Sequence, residues 1–209
     1  KITNASDNKE DSKESFMSKM ILANMFNEDQ LKQIRKGLDN GLDIDQVRFY
    51  ADPKLDWYEM NKIRYGSEVG LTEEQVKLCA NPKFEYDQMC EIRLGFENKL
   101  PYEQIKFYAD PKIYHGSMEQ IRLGLENGLT NEQAKFCAEQ AKLYANPKLD
   151  GEQMKQIRKG FGDGLTYEQI KLYVDPKLSW SDMEEIRKGF KSGLAYEQLK
   201  LYADTKFNK

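Results

Sequence analysis

The dipeptide Ile-Arg recurs with its isoleucine at positions 34, 63, 92, 121, 157 and 186, at intervals of 29, 29, 29, 36 and 29 residues. Glycine keeps the same phase at Gly37, Gly66, Gly95, Gly124, Gly160 and Gly189. So does an apolar residue at Leu31, Met60, Met89, Met118, Met154 and Met183. Several residue types in one phase over six copies restrict the chain to a repeat architecture. Each unit is then one supersecondary element that buries its apolar face only against its neighbours.

The second copy shows the chemistry of a unit. Asp56 is placed to cap a helix, with Glu59 reaching back from the third helical position and Leu55 set to staple onto Met60. Met60, Ile63 and the slot filled elsewhere by Leu38, Phe96, Leu125, Phe161 and Phe190 follow the spacing of one buried helical face, which Ser67 interrupts in this copy. Gly70-Leu71 reads as a left-handed helix stop followed by its hydrophobic partner. Thr72 with Gln75 then starts a second helix carrying Val76, Leu78, Cys79 and Ala80, and Asn81-Pro82 ends it. That second helix is apolar over a wide arc, which predicts that it lies deeper than the first. Helices of about eleven and eight residues do not persist alone in water, so stacking is required.

The expected fold is therefore all-α, an αα-solenoid of about six 29-residue helix-turn-helix repeats. Repeats start near 26, 55, 84, 113, 149 and 178, and a half-repeat at 16–26 precedes them. One solenoid body is expected over 16–209, after a disordered leader at 1–15 whose composition is polar and charged. An elongated shape suits the balance of 39% hydrophobic and 32% charged residues. The 36-residue interval has a visible cause, since 132–138 reads EQAKFCA and 139–145 reads EQAKLYA. Seven residues are close to two helical turns, about 10 Å, so the buried face survives the duplication. It is either tolerated slippage or a bend or protrusion used in docking.

No enzyme chemistry is evident. The single histidine, His115, occupies the first position of a helix, where other copies have Trp57, Tyr86 and Trp180, and reads as a surface or packing residue. No cluster has zinc or calcium spacing, and no cofactor or metal is expected. Gly160-Phe161-Gly162-Asp163-Gly164 resembles a phosphate loop, but the strand such a loop follows is missing, and the repeat itself accounts for Gly160 and Gly164. Only Gly162 is additional. Cys79, Cys90 and Cys137 are three in number and lack metal spacing, which suggests free thiols in a cytoplasm. Secretion after removal of a signal peptide is the alternative, because the chain does not begin with Met. No stretch has the length of a membrane span.

Three sets of side chains remain as candidate contacts. Arg35, Arg64, Arg93, Arg122, Arg158 and Arg187 sit at the margin of the apolar face, either packing their stems and pairing locally or forming a row of anion donors. Lys54, Lys83, Lys112, Lys148, Lys177 and Lys206 follow the second helices, where a cation suits a helix C-terminus. Trp57, Tyr86 and Trp180, with Tyr102, Tyr167 and Tyr196, begin helices and serve as inter-repeat packing or as contact anchors.

The phrase Y-A-D-P-K at Tyr108 to Lys112, with Q-M-x-x-I-R-x-G-F-x-x-G-L at Gln153 to Leu165, resembles a helical repeat of uncharacterised proteins from gut Firmicutes and their mobile elements. The resemblance covers roughly Phe26 to Lys206. It implies a bacterial origin, and a mobile-element setting allows an anti-defence role. The expected function is a non-enzymatic interaction module that binds a protein or peptide along a solenoid face. The alternative is a nucleic-acid or polyanion binder using the basic ladders. Net charge is only −3, from 32 basic and 35 acidic residues, and acids such as Glu74, Glu103, Glu132 and Glu168 also recur once per unit. A polyanion meeting both signs loses much of the counterion-release term that drives its binding, so the protein partner ranks first.

Overall fold

The computed structural model describes residues 12–143 and 149–207, and every regular element among them is an α-helix. They form two compact units, which meet in sequence between Ala80 and Asn81. The repeat phase runs through this point unbroken and does not mark it. The first unit holds α1 (Lys13–Leu22), α2 (Glu28–Asp39), α3 (Ile44–Tyr50), α4 (Trp57–Glu68) and α5 (Glu73–Cys79). The second holds α6 (Tyr86–Glu97), α7 (Tyr102–Tyr108), α8 (His115–Glu126), α9 (Asn131–Leu143), α10 (Gly151–Gly162), α11 (Tyr167–Lys171), α12 (Trp180–Lys191) and α13 (Tyr196–Phe207).

The helix boundaries follow from local chemistry. Asn27, Asp43, Asp56, Thr72, Asp150 and Thr166 each accept a hydrogen bond from the third helical N–H, and the Glu or Gln there accepts from the cap backbone in return. First helices end in a left-handed residue. Gly70 has φ of 81°, and the following Leu71 N–H donates to the Gly66 carbonyl at 3.1 Å. In the third copy Lys99 holds this position with φ of 64° and no glycine to ease it. After second helices, the Asp-Pro-Lys turn is closed by its acid: the Lys54, Lys112 and Lys177 N–H groups donate to Asp52, Asp110 and Asp175 at 2.9, 2.9 and 2.7 Å.

Two element boundaries depart from the sequence reading. Ser12 caps α1, so 13–15 belong to its first turn and the leader expected over 1–15 is too long; residues 1–11 lie outside the described residues. The last helix runs to Phe207 rather than stopping near Ala203, because Thr205 stands where other copies have proline. The duplicated segment makes α9 thirteen residues long against seven in α3, α5 and α7, and Ala134 and Ala141, seven apart, are both buried.

First helices pack on one another within each unit, α2 on α4 and then α6, α8, α10 and α12 in succession. Within the units α3 lies against α2 and α4, α7 against α6 and α8, and α9 against α8 and α10. The second helices are not the deeper layer. The two-turn helices α3, α5 and α7 bury two residues each, whereas α8 buries eight, since a first helix is covered on both flanks by its neighbours.

One contact explains the repeated glycine. Tyr50, Tyr108 and Tyr173 are fully buried, and their hydroxyls donate to the carbonyls of Gln33, Glu91 and Gln156 at 3.1, 3.4 and 3.3 Å. Each hydroxyl lies against Gly37, Gly95 or Gly160, where a Cβ would collide with it. Burial pushes the Tyr50 and Tyr173 phenols far above their ordinary range. In copies two and four the slot holds Cys79 and Cys137, both buried and neither in a disulfide, and burial pushes the Cys137 thiol up to about 12. The Ser67 that interrupts the apolar face of α4 is buried as well, its hydroxyl donating to the Ile63 carbonyl at 3.1 Å. No helix among the described residues is long and apolar enough to cross a membrane.

Candidate functional site

The arginines one residue past the core isoleucine are placed by the helix period beside the seam between successive first helices. Arg64, Arg122 and Arg187 are buried there. Their Nε groups donate across the seam to Gln33 at 3.2 Å, Glu91 at 2.8 Å and Gln156 at 3.1 Å. Their terminal nitrogens pair with carboxylates, Arg64 with Glu68, Arg122 with Glu126 at 2.8 Å, and Arg187 with Asp163. Arg93 pairs with Glu97, four residues on. Burial alone would raise Asp163, but its bonds from Lys191 and Arg187 outweigh that and hold the carboxyl below its ordinary range. Burial wins at Glu91, which is raised despite the Arg122 bond. A guanidinium with its donors committed inside the seam binds its neighbours rather than a ligand.

Two members of the row differ. Arg35 is exposed on α2. Arg158 is half-buried, and its Nε donates to Gln120 at 3.2 Å, but the position four residues on is Gly162. Among the described residues no carboxylate meets its terminal nitrogens.

A glutamine ladder, which the sequence reading passed over, does comparable work. Gln30, Gln88 and Gln153 are buried. Each accepts from the backbone of its own helix cap through Oε1 and donates through Nε2 to the turn that leads into the next copy. Those donations reach the Leu55, Ile113 and Leu178 carbonyls at 2.6 Å. Ser117 makes the corresponding bond to the Leu149 carbonyl at 3.1 Å. The signal was present in the repeat phase, since these residues precede the core isoleucine by four positions, yet polar residues at a helix start read as caps alone.

The aromatic residues differ by helix in degree. Those that begin second helices lie against the core phenylalanines, where Tyr102 stacks on Phe96 at 5.8 Å, Tyr167 meets Phe161 edge-on at 5.3 Å, and Tyr196 lies 6.0 Å from Phe190, yet Tyr167 and Tyr196 stay 38% and 39% exposed. Those that begin first helices stand out. Trp57, Tyr86 and Trp180 remain 49%, 59% and 48% exposed. Trp57 has Tyr58 edge-on at 5.8 Å, and Tyr58 carries the Lys62 ammonium 4.0 Å over its ring. His115 in the same slot lies 4.2 Å from the Tyr114 ring.

Among the described lysines of the ladder, Lys206 alone is drawn into a helix, where it pairs with Asp182 at 2.9 Å and is raised by that bond. Lys54, Lys83, Lys112 and Lys177 follow their Asx turns, and Lys148 lies outside the described residues. No group of three or more His, Cys, Asp or Glu side chains among the described residues could hold a metal ion. No protein-family model, curated protein sequence or solved structure matches the chain.

Proposed function

We propose that the chain is a non-enzymatic interaction module, its copies stacked within each unit as turns of an αα-solenoid, with exposed aromatic side chains as anchors for a protein or peptide. The observation that carries this reading is the 48–59% exposure of Trp57, Tyr86 and Trp180, greater than the 38% and 39% of Tyr167 and Tyr196, whose rings lie against Phe161 and Phe190. A side chain with so much apolar area is stabilised by covering it, and Trp and Tyr are the residues that most often dominate protein interfaces. The seam bonds of the buried arginines favour this over the polyanion reading, because they remove donors that phosphates would need. The bacterial, mobile-element setting implied by the repeat's resemblance is part of the same proposal.

Panning a random peptide library on the full chain, then measuring the selected peptides against Trp57→Ala and Trp180→Ala, tests it. Loss of about thirtyfold in affinity is expected for at least one of the two, as for a central interface aromatic. Neutralising any one of Lys54, Lys83, Lys112 or Lys177 should change affinity by less than about threefold. The reading fails if no peptide is selected and the chain instead binds random-sequence DNA or RNA with affinity that falls steeply as salt rises.

A further inference from the structure

The second unit contains an open groove of about 390 Å³ beside the C-terminal ends of α8, α10 and α12. Arg158 and Lys159 line it from α10, and Arg187 and Lys191 from α12. Gly124 and Gly162 border it without side chains, and Asp163 supplies its carboxylate. Four cations against one acid leave a formal excess of three positive charges. Asp163 is already engaged, accepting from Arg187 and, at 2.6 Å, from Lys191.

Arg158 is what sets this place apart. Arg64, Arg93 and Arg122 each pair with a glutamate four residues on, one helical turn away. After Arg158 that position is Gly162, and a Cβ built there meets nothing within 4 Å. The space where the carboxylate would sit is therefore open, and the guanidinium that it would satisfy is half-buried and points its stem over Gly124, whose Cβ position lies 3.4 Å from the arginine Cδ. Gly162 is also the one glycine of the Gly160 to Gly164 run that the repeat leaves unexplained.

We infer that the groove is a phosphate site, in which Arg158 offers its two terminal nitrogens as a fork to a phosphate group that takes the place of the absent glutamate. Lys159 stands beside it on the same helix, with no ion-pair partner among the described residues. The guanidinium fork matches two oxygens of a phosphate, and the excess positive charge selects a dianion over a monocarboxylate. The negative ends of the three helices oppose an anion and screen part of that charge, which sets the expected dissociation constant on the order of 1 mM. The phosphate belongs to a small phosphorylated molecule or to a phosphorylated side chain. No aromatic residue lines the groove, so the inference stands apart from the aromatic-anchor reading.

The test uses the full chain, calorimetric or ³¹P NMR titration at constant ionic strength, and three probes: inorganic pyrophosphate, free O-phosphoserine and a phosphoserine peptide. Gly162→Glu rebuilds the glutamate that three other copies carry as Glu68, Glu97 and Glu126, and Gly162→Ala is its neutral control. Both replace a helical glycine with a better helix former and should unfold no earlier than the parent. Saturable binding to the parent is expected, kept by Gly162→Ala and by Trp180→Ala and weakened roughly tenfold or more in Gly162→Glu, the loss due when a charge-assisted hydrogen bond is pre-empted. Binding of the free probes identifies a small molecule as the source, and binding of the peptide alone identifies a modified side chain. The inference is overturned if the parent shows no saturation with any probe up to about 20 mM, if Gly162→Glu binds as well as the parent, or if Gly162→Ala loses binding equally.

Discussion

At Gly95 and Gly160 the absence of a side chain is a packing requirement, since the Tyr108 and Tyr173 hydroxyls occupy the space beside them. Gly95→Ala forces the ring away from its bond to the Glu91 carbonyl, at a cost of about 1–3 kcal/mol, partly offset by the ~1 kcal/mol better helix propensity of alanine. At Gly66 the nearest neighbour is a Val76 methyl 3.1 Å away, and the tyrosine slot is Cys79. Gly66→Ala should therefore change stability by under about 0.5 kcal/mol. In urea unfolding, Gly95→Ala should be the more destabilising of the two, and the added Tyr108→Cys change should relieve it; equal effects would remove the tyrosine explanation.

Glu91 gives a second residue-scale prediction, with a sign set by burial. A carboxyl whose folded pKa is raised contributes stability that is complete below its unfolded pKa and is lost as pH climbs through the folded value. Burial thus disfavours the ionised form of Glu91. Gln33, Gln120 and Gln156 hold the same slot in other copies, and each accepts from an arginine Nε. Glu91→Gln is expected to match the parent near pH 4 and to be up to ~1 kcal/mol more stable at pH 7, read from urea midpoints at both. Arg122→Met leaves Glu91 and Glu126 without their shared donor and should cost about 3 kcal/mol.

Among the turns that close the first helices of the six copies, the one between α6 and α7 is strained. Five copies place glycine at this left-handed position, at Gly41, Gly70, Gly128, Gly164 and Gly193, while Lys99 adopts it with a side chain. A left-handed conformation costs a lysine roughly 1 kcal/mol, which glycine avoids. Lys99→Gly should raise the unfolding free energy by about 0.5–1 kcal/mol without changing helix content by circular dichroism. A loss of stability would show that the lysine side chain makes a contact outweighing the strain. The element ends teach the same lesson at α13, where replacing the turn proline by Thr205 lets one helix run on to Phe207.

For the molecule as a whole, the six-fold recurrence of glycine, proline and cap residues was enough to establish helices only, their order and nearly all their boundaries. These are local decisions: a cap oxygen, a left-handed glycine or a missing N–H acts within four residues and is written in the sequence next to the helix it controls. The exposed placement of Trp57, Tyr86 and Trp180 was not legible, because an aromatic at a helix start looks the same whether a neighbouring copy covers it or not. Nor was the fate of the arginine row. One repeated residue type became three roles: seam bonds at Arg64, Arg122 and Arg187, exposure at Arg35, and an open guanidinium at Arg158. The sequence by itself determined the helical repeat, since periodic apolar spacing and punctuation leave no other way to bury the chain. Only the tertiary structure decided which polar groups are consumed between helices and which are left to meet a ligand, because hydrogen-bond partners 23 to 38 residues apart are chosen by packing and not by local spacing.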